Sequence, residues 1–380
     1  MVEQGPLYFD SAATTPVDPR VAELVSRMLV RDFGNPHSRT HSFGSTALKA
    51  VQVARQQVAD VVSANPAEVV FTSGATESNN LAILGLQSSL MERGQTHIIS
   101  SEIEHKAVIE PLELLQKRGF EVSWLKPDVN GVISPDDLQG ALREETGLVS
   151  IMHVNNETGV VQPLEQMGEI LKSHPAIFHT DAAQGYAKVP EELSSTRLDL
   201  ISLSGHKMNA PKGVGALVVK LRKLERIPIE PLVVGGGQER GLRAGTISTP
   251  LVAALGLACE LAVSEREERR SRCDQIKRGV EGMVHSLGGE ILGDPTRRVP
   301  WIVNARFPGA NAEALLIRLK DHVAIATGSA CTSESFQSSH VLKAMGLPEK
   351  VSREHVRWSW GADSTEPDYD QLASLIRTLW

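Results

Sequence analysis

Three cysteines in 380 residues are too few, and odd in number, for a disulfide framework. Cys259, Cys273 and Cys331 instead fit a reducing compartment, where thiols stay free. Neither sign of charge dominates: 39 Lys and Arg against 46 Asp and Glu leave −7. Nothing in that balance calls for direct contact with nucleic acid or membrane. No apolar run approaches the ~20 residues that cross a bilayer. The N-terminus, Met1 to Asp10, has neither a basic start nor an apolar signal core. Internal repeats and low-complexity stretches are absent. The expected location is the cytoplasm.

What is present is enough apolar residue, 41%, for a sizeable core. At roughly 150 residues per domain, the length suggests two domains, or one large domain with a small companion. Short apolar runs alternate with helical patterns, which predicts an α/β fold with a mainly parallel sheet. Ala47, Ala50, Val51, Ala54, Val58, Val61 and Val62 recur at helical spacing and predict one buried face. Strands are expected at 68–72, 97–100, 122–124, 148–152, 177–179 and 200–203. From Pro250 a long helical pattern runs to about Leu287, and its charge run Glu265–Arg272 reads as a solvated face. Strands follow at 301–304 and 356–360, with a helix at 312–319 and a Gly/Ser-rich loop at about 327–336. The expected division is a large domain, 15–250, and a smaller α+β domain from 1–14 and 251–380.

Four segments carry chemistry. Ser73-Gly-Ala-Thr-Glu-Ser-Asn-Asn80 follows a strand and opens a helix. Free N–H groups there suit an anion, although an ordinary N-cap turn has the same composition. His179-Thr-Asp181-Ala-Ala-Gln184 ends a strand, where α/β folds bind ligands. Asp181 is equally readable as a helix cap. Ser202-Leu-Ser204-Gly-His-Lys207 also ends a strand and offers a Schiff-base lysine, against the commoner reading of a solvated one. In Ala326-Thr-Gly-Ser-Ala-Cys331-Thr-Ser-Glu-Ser335 a thiol stands among loop-forming residues. An exposed thiol is an oxidation liability, which argues for use. Cys259 lies on a strongly apolar helix and reads as structural. Cys273, in a charged helix, reads as incidental.

Together these segments resemble the NifS/IscS-type cysteine desulfurases, within the fold-type I enzymes that use pyridoxal 5′-phosphate (PLP). The blocks are Tyr8–Pro16, Gly74–Ser78, Glu104–Val108, His153–Glu157, Asp181–Gln184, Ser204–Lys207, Gly235–Arg240, Arg243–Thr246, Gly328–Cys331 and Trp358–Gly361. They run in the family's order over essentially the whole chain.

The resemblance implies a fold, a cofactor and roles. The fold is a large PLP-binding domain, with a mainly parallel sheet flanked by helices, plus a smaller α+β domain. Lys207 would hold PLP covalently, Asp181 would pair with its ring nitrogen, and Gln184 would bond the ring oxygen. His105 would stack on the ring and move protons. Ala75, Thr76, Ser204 and His206 would hold the phosphate, with Thr246 reaching it from the partner subunit of a homodimer. Asn155, also counted among the cofactor contacts, and Arg357 would grip the substrate carboxylate, since a planar guanidinium suits that task. Lys207 would move protons at the substrate Cα. Cys331 would take the sulfur of L-cysteine as a persulfide, releasing alanine. The Ser329–Ser333 context resembles the group I enzymes with a long loop. No metal ligands are assigned. Sulfur would pass to an acceptor protein, an iron–sulfur scaffold or a tRNA or DNA thio-modification enzyme. Similar chains continue past the position of Trp380 with a tail that helps scaffold docking, and the resemblance does not reach that tail.

Two other readings compete. A selenocysteine lyase or a fold-type I aminotransferase would use the same cofactor, but an aminotransferase needs no thiol at Cys331. A sulfur-relay protein without activity would not need Lys207, Asp181, His105 and Arg357 together.

Overall fold

The computed structural model describes residues 5–194, 197–222, 225–328 and 339–379. In chain order the strands are β1 (Leu7–Tyr8), β2 (Val69–Thr72), β3 (His97–Ser101), β4 (Glu121–Leu125), β5 (Thr146–Ser150) and β6 (Ile177–Asp181). They continue with β7 (Leu200–Ser204), β8 (Gly215–Val219), β9 (Glu290–Leu292), β10 (Ile302–Arg306), β11 (Val323–Ala324) and β12 (His355–Ser359).

A seven-stranded sheet in the order β2-β8-β7-β6-β5-β3-β4 forms the centre, and only β8 runs against its neighbours. Successive residues on a strand face opposite ways, and here both faces are covered. Val69, Ile99, Val149 and Ile201 enter one buried cluster. Val70, Ile98, Leu148 and Leu200 enter the other. That is why these strands read as continuous apolar runs rather than alternating ones.

The carboxyl ends of β2, β3, β5, β6 and β7 share one edge of the sheet. They deliver in turn Ser73–Thr76, His105, Met152–Asn156, Asp181 and Ser204–Lys207. The helical face expected from Ala47 to Val62 appears as the helix Ser42–Asp60, with Ala47, Val51, Ala54 and Val58 buried.

A three-stranded sheet, β12-β10-β9, carries a second core. Phe9 and Ala12, from the N-terminal segment, belong to it. Phe9 stacks edge-on against Trp358 with centroids 6.3 Å apart and at a tilt against Trp360 at 5.6 Å. Such aromatic pairs contribute about 0.5–1.5 kcal/mol beyond their burial. The pairing of β1 with β11 and of Asp10 with Ser359 ties residues 7–15 between this sheet and the strand ends of the central one.

Two expectations need correction. The long pattern from Pro250 is two helices, Thr249–Ser264 and Arg266–Ser286. They meet at Glu265, whose carboxylate is bound by Arg20 and Arg269. Cys273 is not incidental but buried in the second core beside Ile276 and Val280. Burial pushes its thiol up to about 12. Among the described residues, no helix is long and apolar enough to cross a membrane.

Candidate active site

The strand ends and the N-terminal segment enclose a pocket of about 430 Å³, within the size range of cofactor sites. Ala75, Thr76, His105, Asp181, Gln184, Ser204, His206, Lys207 and Arg357 all line it. Thr246 does not; it is exposed on a separate loop. Cys331 and the loop expected at about 327–336 lie outside the described residues, except for positions 327 and 328.

One end of the pocket is built for an anion. The helix Ala75–Leu84 starts at Gly74, whose φ of 156° and ψ of 179° favour glycine, and no side chain caps it. Its first N–H groups therefore face a ligand site rather than a cap. Glu77, in the first turn, accepts from Ser73 N at 2.7 Å and from Arg243 Nε at 2.9 Å. That arrangement ties the Gly235–Thr246 segment to this turn.

Deeper in, Asp181 is 6% exposed. Its Oδ2 accepts from Asn79 Nδ2 at 2.7 Å and its Oδ1 from Ala183 N at 2.9 Å. Each oxygen keeps a lone pair for a cationic ring nitrogen. Lys207 Nζ donates to the carbonyls of Ala13, at 2.7 Å, and Ala12. Gln184 Nε2 shares the Ala12 carbonyl at 2.9 Å. His105 caps the helix Lys106–Lys117 by accepting from Ala107 N through Nδ1 at 3.1 Å, so its neutral ring carries the proton on Nε2. Burial, with Lys207 and Lys212 nearby, lowers His206 to about 4, so it stays neutral beside Thr14 Oγ1. An uncapped helix start, a shielded carboxylate and a lysine in one pocket fit PLP.

Another part of the lining, around Arg357, suits a carboxylate. Arg357 is nearly fully buried; its Nη2 reaches Asp10 Oδ1 at 2.8 Å and its Nη1 donates to the Asn156 carbonyl at 3.1 Å. Its Nε is buried without a partner among the described residues. Here the Asn155 expectation is corrected. Asn155 is fully buried and does not line the pocket. Its Oδ1 closes a turn by accepting from Glu157 N and Thr158 N, both at 2.9 Å, while its Nδ2 donates to Ile103 O. Asn156 lines the pocket instead.

Two buried carboxyls flank these groups. Glu157 accepts from Ser339 Oγ at 2.5 Å, and a Cβ on Gly328 would come within 1.9 Å of its Oε2. Both residues bracketing 329–338 are thus seated on Glu157. Glu104 accepts at Oε1 from Ser101 Oγ (2.6 Å) and Met152 N (2.9 Å), and its Oε2 has no partner among the described residues. Burial raises its pKa to about 8, and the charge of Asp181 adds to that.

An exposed glutamate titrates near ~4.3. The proton on Glu104 therefore stabilises the fold fully below about pH 4, and that contribution drains away as pH rises through 8. Glu104→Gln is expected to melt near the wild-type temperature at pH 5 and a few degrees above it at pH 8.5, by circular dichroism. Equal pH dependence in the two proteins would refute a neutral Glu104.

Asn79, Asp10, Asn156, Glu157 and Glu104 are site residues to which the sequence alone assigned no role, although all stand in or beside the segments quoted above. For Asn79 a signal existed: it lies four residues after Ala75, on the same helix face.

Residues 7–372 match the family model described as Aminotransferase class-V. The chain is 46% identical to a protein named cysteine desulfurase IscS from Shewanella sp. (strain ANA-3), over 98% of this chain and 92% of that one. A solved NifS-like protein superposes with a TM-score of 0.90 at 34% identity, covering 98% of both chains. A structure of SspA in complex with cysteine superposes with a TM-score of 0.82 at 38% identity, covering 93% of this chain and 98% of the other.

Proposed function

We propose a division of labour among the pocket residues on the premise that the chain belongs to the class-V aminotransferase family and is a cysteine desulfurase. The family depends on PLP, and the observation that carries the reading is the meeting of Lys207, Asp181 and the uncapped Ala75 helix start in one pocket.

Ala75, Thr76, Ser204 and His206 would hold the phosphate, Asp181 the ring nitrogen, Gln184 the ring oxygen, and His105 the ring face. Lys207 would be the covalent link. When bound, the cofactor supplies an electron sink for bonds broken at the substrate amino acid. Arg357 receives the carboxylate of L-cysteine, with Asn156 beside it in place of Asn155. Lys207 Nζ, released from its carbonyl partners, takes and returns the proton at the substrate Cα. His105 Nε2–H is a second proton donor at the ring face. The thiolate of Cys331 then attacks the substrate sulfur. The new S–S bond forms as the Cβ–S bond breaks, its electron pair passing to carbon, and protonation there leaves alanine.

Thr246 would serve the pocket of a second copy. Exposed apolar residues support a homodimer: Leu29, Val30 and Phe33 lie near one end of the helix Pro19–Val30, and Leu232, Val233 and Val234 lead into the segment that carries Thr246. The acceptor of the sulfur is a protein that receives a persulfide, an iron–sulfur scaffold or a thio-modification enzyme.

The direct test is incubation of the PLP-loaded protein with L-cysteine and a thiol reductant. Equal amounts of alanine and sulfide are expected. Pyruvate in place of alanine, or neither product, would overturn the assignment.

Asp10 is proposed to position the Arg357 guanidinium for the carboxylate. Asp10→Asn keeps an acceptor for Nη2 and should raise the KM for cysteine about threefold, while Asp10→Ala should raise it about tenfold, with kcat within about twofold in both. A fall in kcat at constant KM would contradict a role in binding.

A further inference from the structure

The N-terminal segment separates two cavities. Ala12 and Ala13 line the large pocket, and Thr15 lines a smaller one against Met208 and Asn209, just after Lys207. Thr15 Oγ1 donates to the His206 carbonyl and accepts from Asn209 N, both at 2.9 Å.

The charge of the smaller cavity is one-sided. Lys188, Arg266, Arg269 and Arg270 line it, and among the described residues no Asp or Glu does. Two of these cations are already neutralised. Arg266 pairs with Glu191 at 2.8 Å, and Arg269 with Glu265 at 2.8 Å and Asp18 at 3.4 Å. Among the described residues, Lys188 and Arg270 have no carboxylate within ion-pair distance. The Lys188 ammonium lies 5.3 Å from the Trp301 ring centroid. Its pKa is lowered to about 8 by burial, with Arg269 acting the same way and Cys273 and Asp363 opposing. The Trp301 Nε1–H, in the same wall, is buried without an acceptor among the described residues. A desolvated cation and an unused donor beside a cavity free of carboxylates are what an anion site presents.

Size and surface narrow the ligand. There is room for about 60 Å³ of water-sized group centres. At roughly 10–15 Å³ per water, that admits about four to six small groups. Met208, Ala262, Ala362 and the indoles of Trp301 and Trp360 offer apolar wall for a short carbon chain. A free amino acid fits poorly, because its ammonium would face Lys188 and three arginines with no carboxylate among the described lining residues to receive it. We propose that this cavity is a binding site for a short monocarboxylate lacking an amino group, its carboxylate taken by Lys188 and Arg270. The site is independent of the cofactor assignments.

The test uses the PLP-loaded protein and propionate as the probe, at ionic strength held constant with sodium chloride. Binding is followed by tryptophan fluorescence and calorimetry. Saturable binding is expected, weakened about tenfold in Lys188→Met and severalfold in Arg270→Gln. Both variants should turn over cysteine at the wild-type rate when propionate is absent. Arg270 is exposed, so Arg270→Gln keeps the test sound if Lys188→Met folds poorly. Absence of saturable binding would overturn the proposal. So would binding that survives both substitutions and disappears in Arg357→Ala, which places the probe in the large pocket. Inorganic phosphate binding at least as tightly as propionate, and equally sensitive to Lys188→Met, would overturn the carboxylate assignment in favour of a general oxyanion.

Discussion

Lys207→Ala is expected to lose cysteine turnover by about 10³-fold or more and to lack the cofactor absorbance that borohydride removes in the wild-type protein. The argument rests on where the amine sits. Lys207 Nζ is held at the pocket by the carbonyls of Ala12 and Ala13, on the same wall that Gln184 reaches. Asp181, at the end of the neighbouring strand, faces the same space. A second lysine, Lys212, also lines the pocket but is exposed and past the strand end. The comparison is therefore built in. Lys212→Ala should keep the borohydride-sensitive absorbance, since its contribution to an anionic ligand is one of general charge. Removing Lys207 leaves two carbonyls short of a donor, a cost of about 1–3 kcal/mol at most where water cannot replace it, so the variant should still fold. If Lys212→Ala abolishes the covalent cofactor while Lys207→Ala retains it, the lysine assignment is reversed.

The fold and most of the pocket were legible because each rests on a local signal. Five strands of the central sheet announced themselves as apolar runs buried on both faces, and their ends carried the polar residues that now converge, while the edge strand β4 showed only through Val122 and Trp124 beside an exposed Glu121. β8 escaped: Gly-Ala-Leu-Val-Val at 215–219 is a short apolar run, which periodicity cannot distinguish from part of a helix. Its place between β2 and β7 is a long-range fact. The assignment of Asn155, where Asn156 lines the pocket, failed for a different reason. Both amides occupy one tight turn, and the one that hydrogen-bonds two residues ahead is consumed by the turn itself. Cys273 was misjudged because charged neighbours hid its phase; Cys273, Ile276, Val280 and Val284 recur at helical spacing and all face the core. The partners of Arg357 and Asp181 lie 347 and 102 residues away in the chain, and no local pattern states such a pairing.

Cys331→Ser is expected to load PLP as fully as the wild-type protein, to bind cysteine, and yet to release sulfide at least about 10³-fold more slowly, with no persulfide on the chain. The chain has three cysteines, and two of them are disqualified by their surroundings. Cys259 and Cys273 are buried at 0% and 4% exposure, and burial pushes both thiols up to about 12. Neither yields a thiolate near neutral pH, and neither lines the large pocket. Cys331 itself lies outside the described residues, but those on either side of its segment do not. Gly328 lines the pocket, Ser339 bonds Glu157, and His340 Nε2 bonds the Glu104 carbonyl at 2.9 Å. The segment that carries the thiol therefore begins and ends at the wall shared with His105 and Arg357. Cofactor loading depends on Lys207, Asp181 and the Ala75 helix start, none of which the substitution touches. The two functions should consequently separate: unchanged cofactor absorbance, and no sulfur-35 retained on the protein after incubation with labelled cysteine. Cys259→Ser, by placing a hydroxyl in an apolar cluster, should lower the melting temperature and leave the label in place. Label retained by Cys331→Ser and lost by Cys259→Ser or Cys273→Ser would transfer the acceptor role to a buried thiol and overturn the mechanism.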